Sequence, residues 1–160
     1  MSKSQKPRRK YQPGRWLRRT VAAHEVRVDR KPLTEDQQRD LGLQYHVAFE
    51  KMLRGGDQDA WFILAGSMNV ALMLAEMDYG AEFIPEIKAA MQALMRANYR
   101  AQETGQWSFD GDGINATRTA LAIHDQQCAL ATRSEIRAAL VALGERVREG
   151  HFYSSEMEVA

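Results

Sequence analysis

Asp57-Gln-Asp-Ala-Trp61-Phe-Ile-Leu-Ala-Gly66-Ser-Met-Asn-Val-Ala-Leu-Met-Leu-Ala-Glu76-Met-Asp-Tyr79 is the stretch on which the fold turns. Wound as a helix, its Trp61, Ile63, Leu64, Met68, Val70, Leu72, Met73, Leu74 and Met77 leave little polar face. A helix apolar all round is buried on several sides. This one is therefore predicted to be the central element, capped by Asp57 or Asp59 and ended by Gly80. Gly66 and Ser67 inside it would let a neighbouring helix come close, with packing offsetting roughly 1 kcal/mol of lost helix propensity.

The flanking sequence supplies partners for it. Upstream, Thr34 and Gln37 form a capping-box pair with Glu35 and Asp36 at the positive helix start. Leu41, Tyr45, Phe49, Met52 and Leu53 then recur at helical spacing up to Gly55-Gly56. Downstream, a helix over 82–103 carries Ile84, Ile87, Met91, Leu94, Met95 and Tyr99, with Pro85 in its first turn and Gly105 behind it. After a loop over 106–113, the stretch 114–149 has no proline and no glycine before Gly144. Its apolar stripe moves: Ile114, Thr117, Leu121, His124 and Cys128 share one side, whereas Ile136, Leu140, Leu143 and Val147 lie about 100° round. Thr132 and Glu135 offer a second capping box, so two helices with a break near 131–134 are favoured over one. These elements predict an all-α, antiparallel bundle of four or five helices. Met52, Met68, Met73, Met77, Met91 and Met95 fit its adaptable core better than a partner-binding groove.

Charge divides the chain differently. Residues 1–31 hold eleven Lys/Arg against two acids, a net of +9; residues 32–160 hold eleven against nineteen, a net of −8. The overall +1 conceals a cationic arm on an anionic body. The predicted organisation is a flexible basic arm over 1–31 and a helical domain over 32–160. Residues 1–14 read as disordered. In 15–31, Val26 and Val28 alternate with charged residues as a short strand or tether would, and this stretch has enough apolar content (Trp16, Leu17, Val21) to dock on the body. Phe152 and Tyr153 in the tail would pack back before the chain frays.

The arm's centre carries the strongest functional signal. Arg8, Arg9, Lys10, Arg15, Arg18 and Arg19 interleave with Tyr11 and Trp16. Cations neutralise phosphates and release counterions, and aromatic rings stack on bases. These eight residues are the expected nucleic-acid contacts, to DNA or RNA, with an acidic protein surface or no partner as alternatives. No RNA-binding sheet motif or zinc-finger spacing indicates base-specific reading.

Other chemistry is weaker. Asp110-Gly-Asp112-Gly113 invites a calcium loop, but Ile114 and Ala116 interrupt the oxygen series and Leu121 stands where a terminal Glu is needed. A glycine-rich turn capping the next helix through Asp112 is the preferred reading. His46, His124 and Asp125 are the acid–base candidates on the body, with His124 read as a satisfied interior residue and Cys128 as a core thiol. No Glu-x-x-His, His-Glu-x-x-His, Gly-x-Ser-x-Gly or P-loop spacing occurs. The expectation is a protein that is not an enzyme and needs no cofactor or metal. A lone cysteine excludes an internal disulfide and fits a reducing cytoplasm. No apolar run is long enough for a membrane span, and the start lacks a secretory h-region.

Several segments together resemble small uncharacterised proteins carried by proteobacterial phages and prophages. They are Arg9-Lys10-Tyr11-Gln12-Pro13, Leu41-Gly42-Leu43, Asn69 to Glu76, Gly80-Ala81-Glu82 and Gly105 to Gly113. The resemblance implies a bacterial host cytoplasm and an accessory role, and brings no catalytic residue with it. The leading expectation is a phage-type accessory protein whose arm grips nucleic acid. The alternative is an inhibitor or adaptor that occupies a host protein through the helical body, in host takeover or anti-defence. A homodimer is compatible with either. A third reading, a hydrolase or metal enzyme, would end if His46, His124 and Asp125 lay far apart.

Overall fold

The computed structural model describes residues 27–149, which form an all-α bundle. The expectations for 1–26 and 150–160, including the eight arm residues and the packing of Phe152 and Tyr153, lie outside the described residues. Five α-helices follow in order: α1 (Glu35–Leu53), α2 (Gln58–Glu76), α3 (Ile84–Thr104), α4 (Gly111–Leu130) and α5 (Arg133–Arg148), with a 3-10 turn, Ala81–Phe83, leading into α3.

Four of the five helices begin where a local side chain satisfies orphan amides, whereas α3 starts behind the 3-10 turn with Pro85 in its first turn and no side-chain cap. Thr34 and Gln37 close the capping box of α1, with Thr34 N donating to Gln37 Oε1 at 3.0 Å. Asp57 caps α2 by accepting from Ala60 N at 2.9 Å. Thr132 and Glu135 close the second box, which breaks the 114–149 stretch into α4 and α5. The cap of α4 is Asp110, not Asp112: its Oδ1 accepts from Gly113 N at 2.6 Å, and Gly111 already begins the helix. Arg96 and Arg100 of α3 explain the choice, since both guanidinium groups reach the Asp110 carboxylate.

α2 is central, as its apolar content demands, and packs against α1, α3, α4 and α5. Leu64, Met68, Leu72 and Leu74 are wholly buried. Asn69, also buried, escapes an unsatisfied amide by donating back to Ala65 O at 2.8 Å. The burial is not complete along its length. Near its start Phe62 and Ile63 remain 54% and 43% exposed. Gly66 is exposed on the same side, with open space where a Cβ would stand, so it is not the close helix contact its sequence setting implied. Of the core methionines, Met52, Met68, Met73 and Met91 are buried, whereas Met77 lies partly exposed at the end of α2. Against α2 and each other, α3 and α4 meet through small residues, Ala90, Ala93, Ala97 and Ala120 among those buried.

The chain entering α1 is also placed. Residues 27–29 are helical, where the Val26/Val28 alternation implied extended chain. Lys31 O accepts from Arg133 N at 3.1 Å, and Pro32 forms an antiparallel bridge with Thr132. Residues 27–31 therefore belong with the body.

Two glycines give opposite expectations. Gly56 has φ +43°, and a Cβ there would stand 2.5 Å from Met52 Sδ and from the Trp107 carbonyl oxygen. Gly56→Ala should destabilise by at least about 2 kcal/mol, combining left-handed strain with a clash against backbone. Gly66→Ala, helical and facing open space, should stabilise by about 0.5–1 kcal/mol. Urea denaturation of the two variants reads both signs.

Candidate functional site

One cluster gathers the chain's acid–base residues. Tyr45 and His46 are neighbours on α1, and both reach Asp125 on α4. The Tyr45 hydroxyl donates to Asp125 Oδ1 at 2.5 Å. His46 Nε2 lies 2.9 Å from Oδ2 and 3.1 Å from Oδ1 of the same carboxylate. Tyr45 is buried; that burial, then the bond to Asp125, push its phenol above the ordinary tyrosine range. It therefore remains a donor at any ordinary pH. His46 and Asp125 stay nearly half exposed, at 46% and 44% of their side chains.

Behind this surface trio lies a dry second row. His124 is buried with its ring 5.2 Å from that of Tyr45. Its Nδ1 lies 3.3 Å from Gln127 Oε1, and Cys128 Sγ lies 3.7 Å from its Nε2. Burial lowers the His124 pKa, so it is held as neutral imidazole. Burial likewise pushes the Cys128 thiol up to about 12. Both match their reading as interior residues. Gln127 continues the row by donating from Nε2 to Ala71 O and Tyr79 O at 3.0 and 2.8 Å. Tyr79 in turn donates to Glu135 Oε2 at 2.5 Å, and Glu135 accepts from Thr132 N and Oγ1. That Tyr79 bond and the Thr132 bonds hold the Glu135 carboxyl below its usual range. Polar contacts thus run from His124 and Gln127 of α4 to Ala71 of α2, to Tyr79 just beyond it and to the start of α5.

The separation of His46, His124 and Asp125 that would have ended the enzyme reading is not found. His46 and Asp125 pair directly, and His124 sits next to both. Chemically the surface part is an imidazole oriented by a carboxylate, with a phenol sharing the acceptor. Among the described residues no group of three or more His, Cys, Asp or Glu side chains is arranged to hold a metal ion. Among the same residues no helix is long and apolar enough to cross a membrane.

The second structural feature lies where the arm meets the body. Asp29 accepts a two-pronged bond from Arg137 of α5, at 2.6 and 3.0 Å. Neither residue stood out in the sequence, and 108 positions separate them. The eight expected nucleic-acid contacts, Arg8 to Arg19, fall before this anchor and outside the described residues. No family model, curated protein or solved structure matches this chain.

The buried row sets a pH dependence. In the unfolded chain His124 takes up a proton near pH 6.5, whereas its depressed folded pKa keeps it neutral lower down. Its contribution to stability is therefore complete above that pH and is lost as pH falls. Between pH 6 and 5, His124→Gln should remove up to about 1.4 kcal/mol per pH unit from the slope of unfolding free energy. Denaturant titrations across this range test it; an unaltered slope would show that His124 protonates freely in the folded state. Below pH 4 the depressed carboxyls of Asp57, Asp110 and Glu135 add a further loss in both proteins.

Proposed function

We propose that this chain is a non-enzymatic accessory protein of phage or prophage type that acts by binding, with its cationic arm gripping DNA or RNA. One observation carries the reading: +9 over residues 1–31 against −8 over the rest. Arg8, Arg9, Lys10, Arg15, Arg18 and Arg19 meet phosphates, and Tyr11 and Trp16 stack on bases. The pairing inside the body supports it. Asp57 holds Lys51, Asp110 holds Arg96 and Arg100, Glu76 holds Arg146, and Asp125 holds Tyr45 and His46. These four carboxylates already hold partners within the fold.

A second reading rests on Phe62 and Ile63. Two large side chains exposed side by side on an otherwise buried helix are the kind of apolar contact that a host protein partner would cover. The body would then act as an inhibitor or adaptor.

The two separate in the full chain. Replacing the six arm cations by Gln should weaken binding to short oligonucleotides at least a hundredfold. It should also flatten the dependence of log K on log salt by about 4–5, the counterion release of six phosphate contacts. Fluorescence anisotropy at several salt concentrations reads both. Equal affinity and slope in the substituted chain would discard the arm as the binding element. Phe62→Ser with Ile63→Ser should leave oligonucleotide binding unchanged and abolish capture of a protein partner.

A further inference from the structure

The outer face of α5 carries a groove of about 390 Å³ lined by Ser134, Arg137, Ala138, Val141, Ala142 and Glu145. It is open and largely apolar, and Val141 in it is 55% exposed. A small ligand needs an enclosed site with convergent polar groups. A groove of this shape instead suits the apolar side of a helix.

We propose that its occupant is the chain's own arm, residues 17–26, so that the arm's cations are held at a fixed place on the body. The anchors already described give direction and register. Pro32 lies by Thr132, Lys31 by Arg133 and Asp29 by Arg137. As numbers rise along α5 they fall along the arm, so the two run antiparallel. The chain preceding residue 27 thus starts at the Arg137 end of the groove, with Glu145 at the far end. From Arg137 to Glu145, eight steps along α5, the rise is about 12 Å, which ten residues of helix at 1.5 Å each cover with a little to spare. Residues 27–29 are already helical, and Val28 is half-buried there.

The sequences match across this register. Leu17, Val21, His24 and Val28 are spaced 4, 3 and 4, one face of a helix. Ser134, Ala138, Val141 and Glu145 on α5 repeat the same spacing, and Ala138 and Ala142 allow close approach. Charges are complementary along the same line. Glu25 and Asp29, the arm's two acids, stand one turn apart at the Arg137 end. Arg18 and Arg19 fall at the Glu145 end. The inference goes beyond the nucleic-acid reading and stands whichever partner the arm takes.

Paired cysteines in the full chain test it, without any nucleic acid. His24→Cys with Val141→Cys should form an intramolecular disulfide under mild oxidation, at least tenfold faster than His24→Cys with Leu43→Cys on α1. Cys128 is buried and stays out of the exchange. Cross-linking no faster than the control, or only between chains, would overturn the proposal; the latter would give the groove to a second copy. Hydrogen exchange supplies a second readout. Amides of 17–26 should be protected at least tenfold in the native chain, and that protection should vanish in Val141→Asp while α2 amides stay protected. Unprotected amides in the native chain would likewise sink it. Because neither measurement involves an oligonucleotide, failed nucleic-acid binding and a failed seat give separate results.

Discussion

Four helices converge on the second half of α2. Between Met68 and Ala75 only Val70 keeps partial exposure, and α1, α3, α4 and α5 all pack against this helix. Burial of that apolar surface is the non-directional term that makes assembly favourable. Direction comes from the polar bonds laid around it. Gln127 ties α4 to two carbonyls of the α2 end, Glu135 ties α5 to Tyr79, and Asp125 ties α4 to α1. Gln127 is buried and would be costly if left unpaired. Together these bonds favour one arrangement of the helices around α2.

What the sequence makes legible is what is local. Both capping boxes use a residue and its third successor, and both lie where sequence reading puts them. The break between α4 and α5 shows as a phase shift of the apolar stripe, although only Ile136 and Leu143 of the expected α5 stripe pack on the core, beside buried Ala139, while Leu140 and Val147 stay 53% and 43% exposed. The cap of α4 is not legible in the same way. Asp110 and Asp112 have similar glycine-flanked settings, and what distinguishes them is a pair of arginines from α3. The exposed face of α2 is hidden as well. Phe62 and Ile63 have the hydropathy of core residues, yet they stay 54% and 43% exposed.

The cluster at Asp125 was legible in its parts and not in its assembly. His46, His124 and Asp125 are conspicuous as the body's few acid–base groups. Their convergence depends on α1 lying along α4, which joins positions 79 apart. Tyr45 carries no signal of its own beyond its place on an apolar stripe, yet it supplies the shortest bond to the carboxylate. The arm anchor is less visible still. Asp29 is one of two acids in a basic segment, and nothing in its neighbours points to Arg137.

The distribution of charge bears on how a polyanion would meet this molecule. A carboxylate has about four lone-pair sites, and those of Asp110, Asp125 and Glu135 already accept two or three bonds each from within the fold. Little capacity remains in them for arginines of the arm. The body's net negative charge then acts as a boundary. Beyond a screening length of about 8–10 Å its field is largely lost to salt, but within that distance a net negative charge disfavours the approach of phosphates. On the proposed reading, attraction by the arm and repulsion by the body work together: the first supplies affinity, the second confines the nucleic acid to a single side. An arm seated along α5 would sharpen that confinement, since a cation held at a known place repels and attracts with a fixed geometry, whereas one on a loose tether averages over the whole surface.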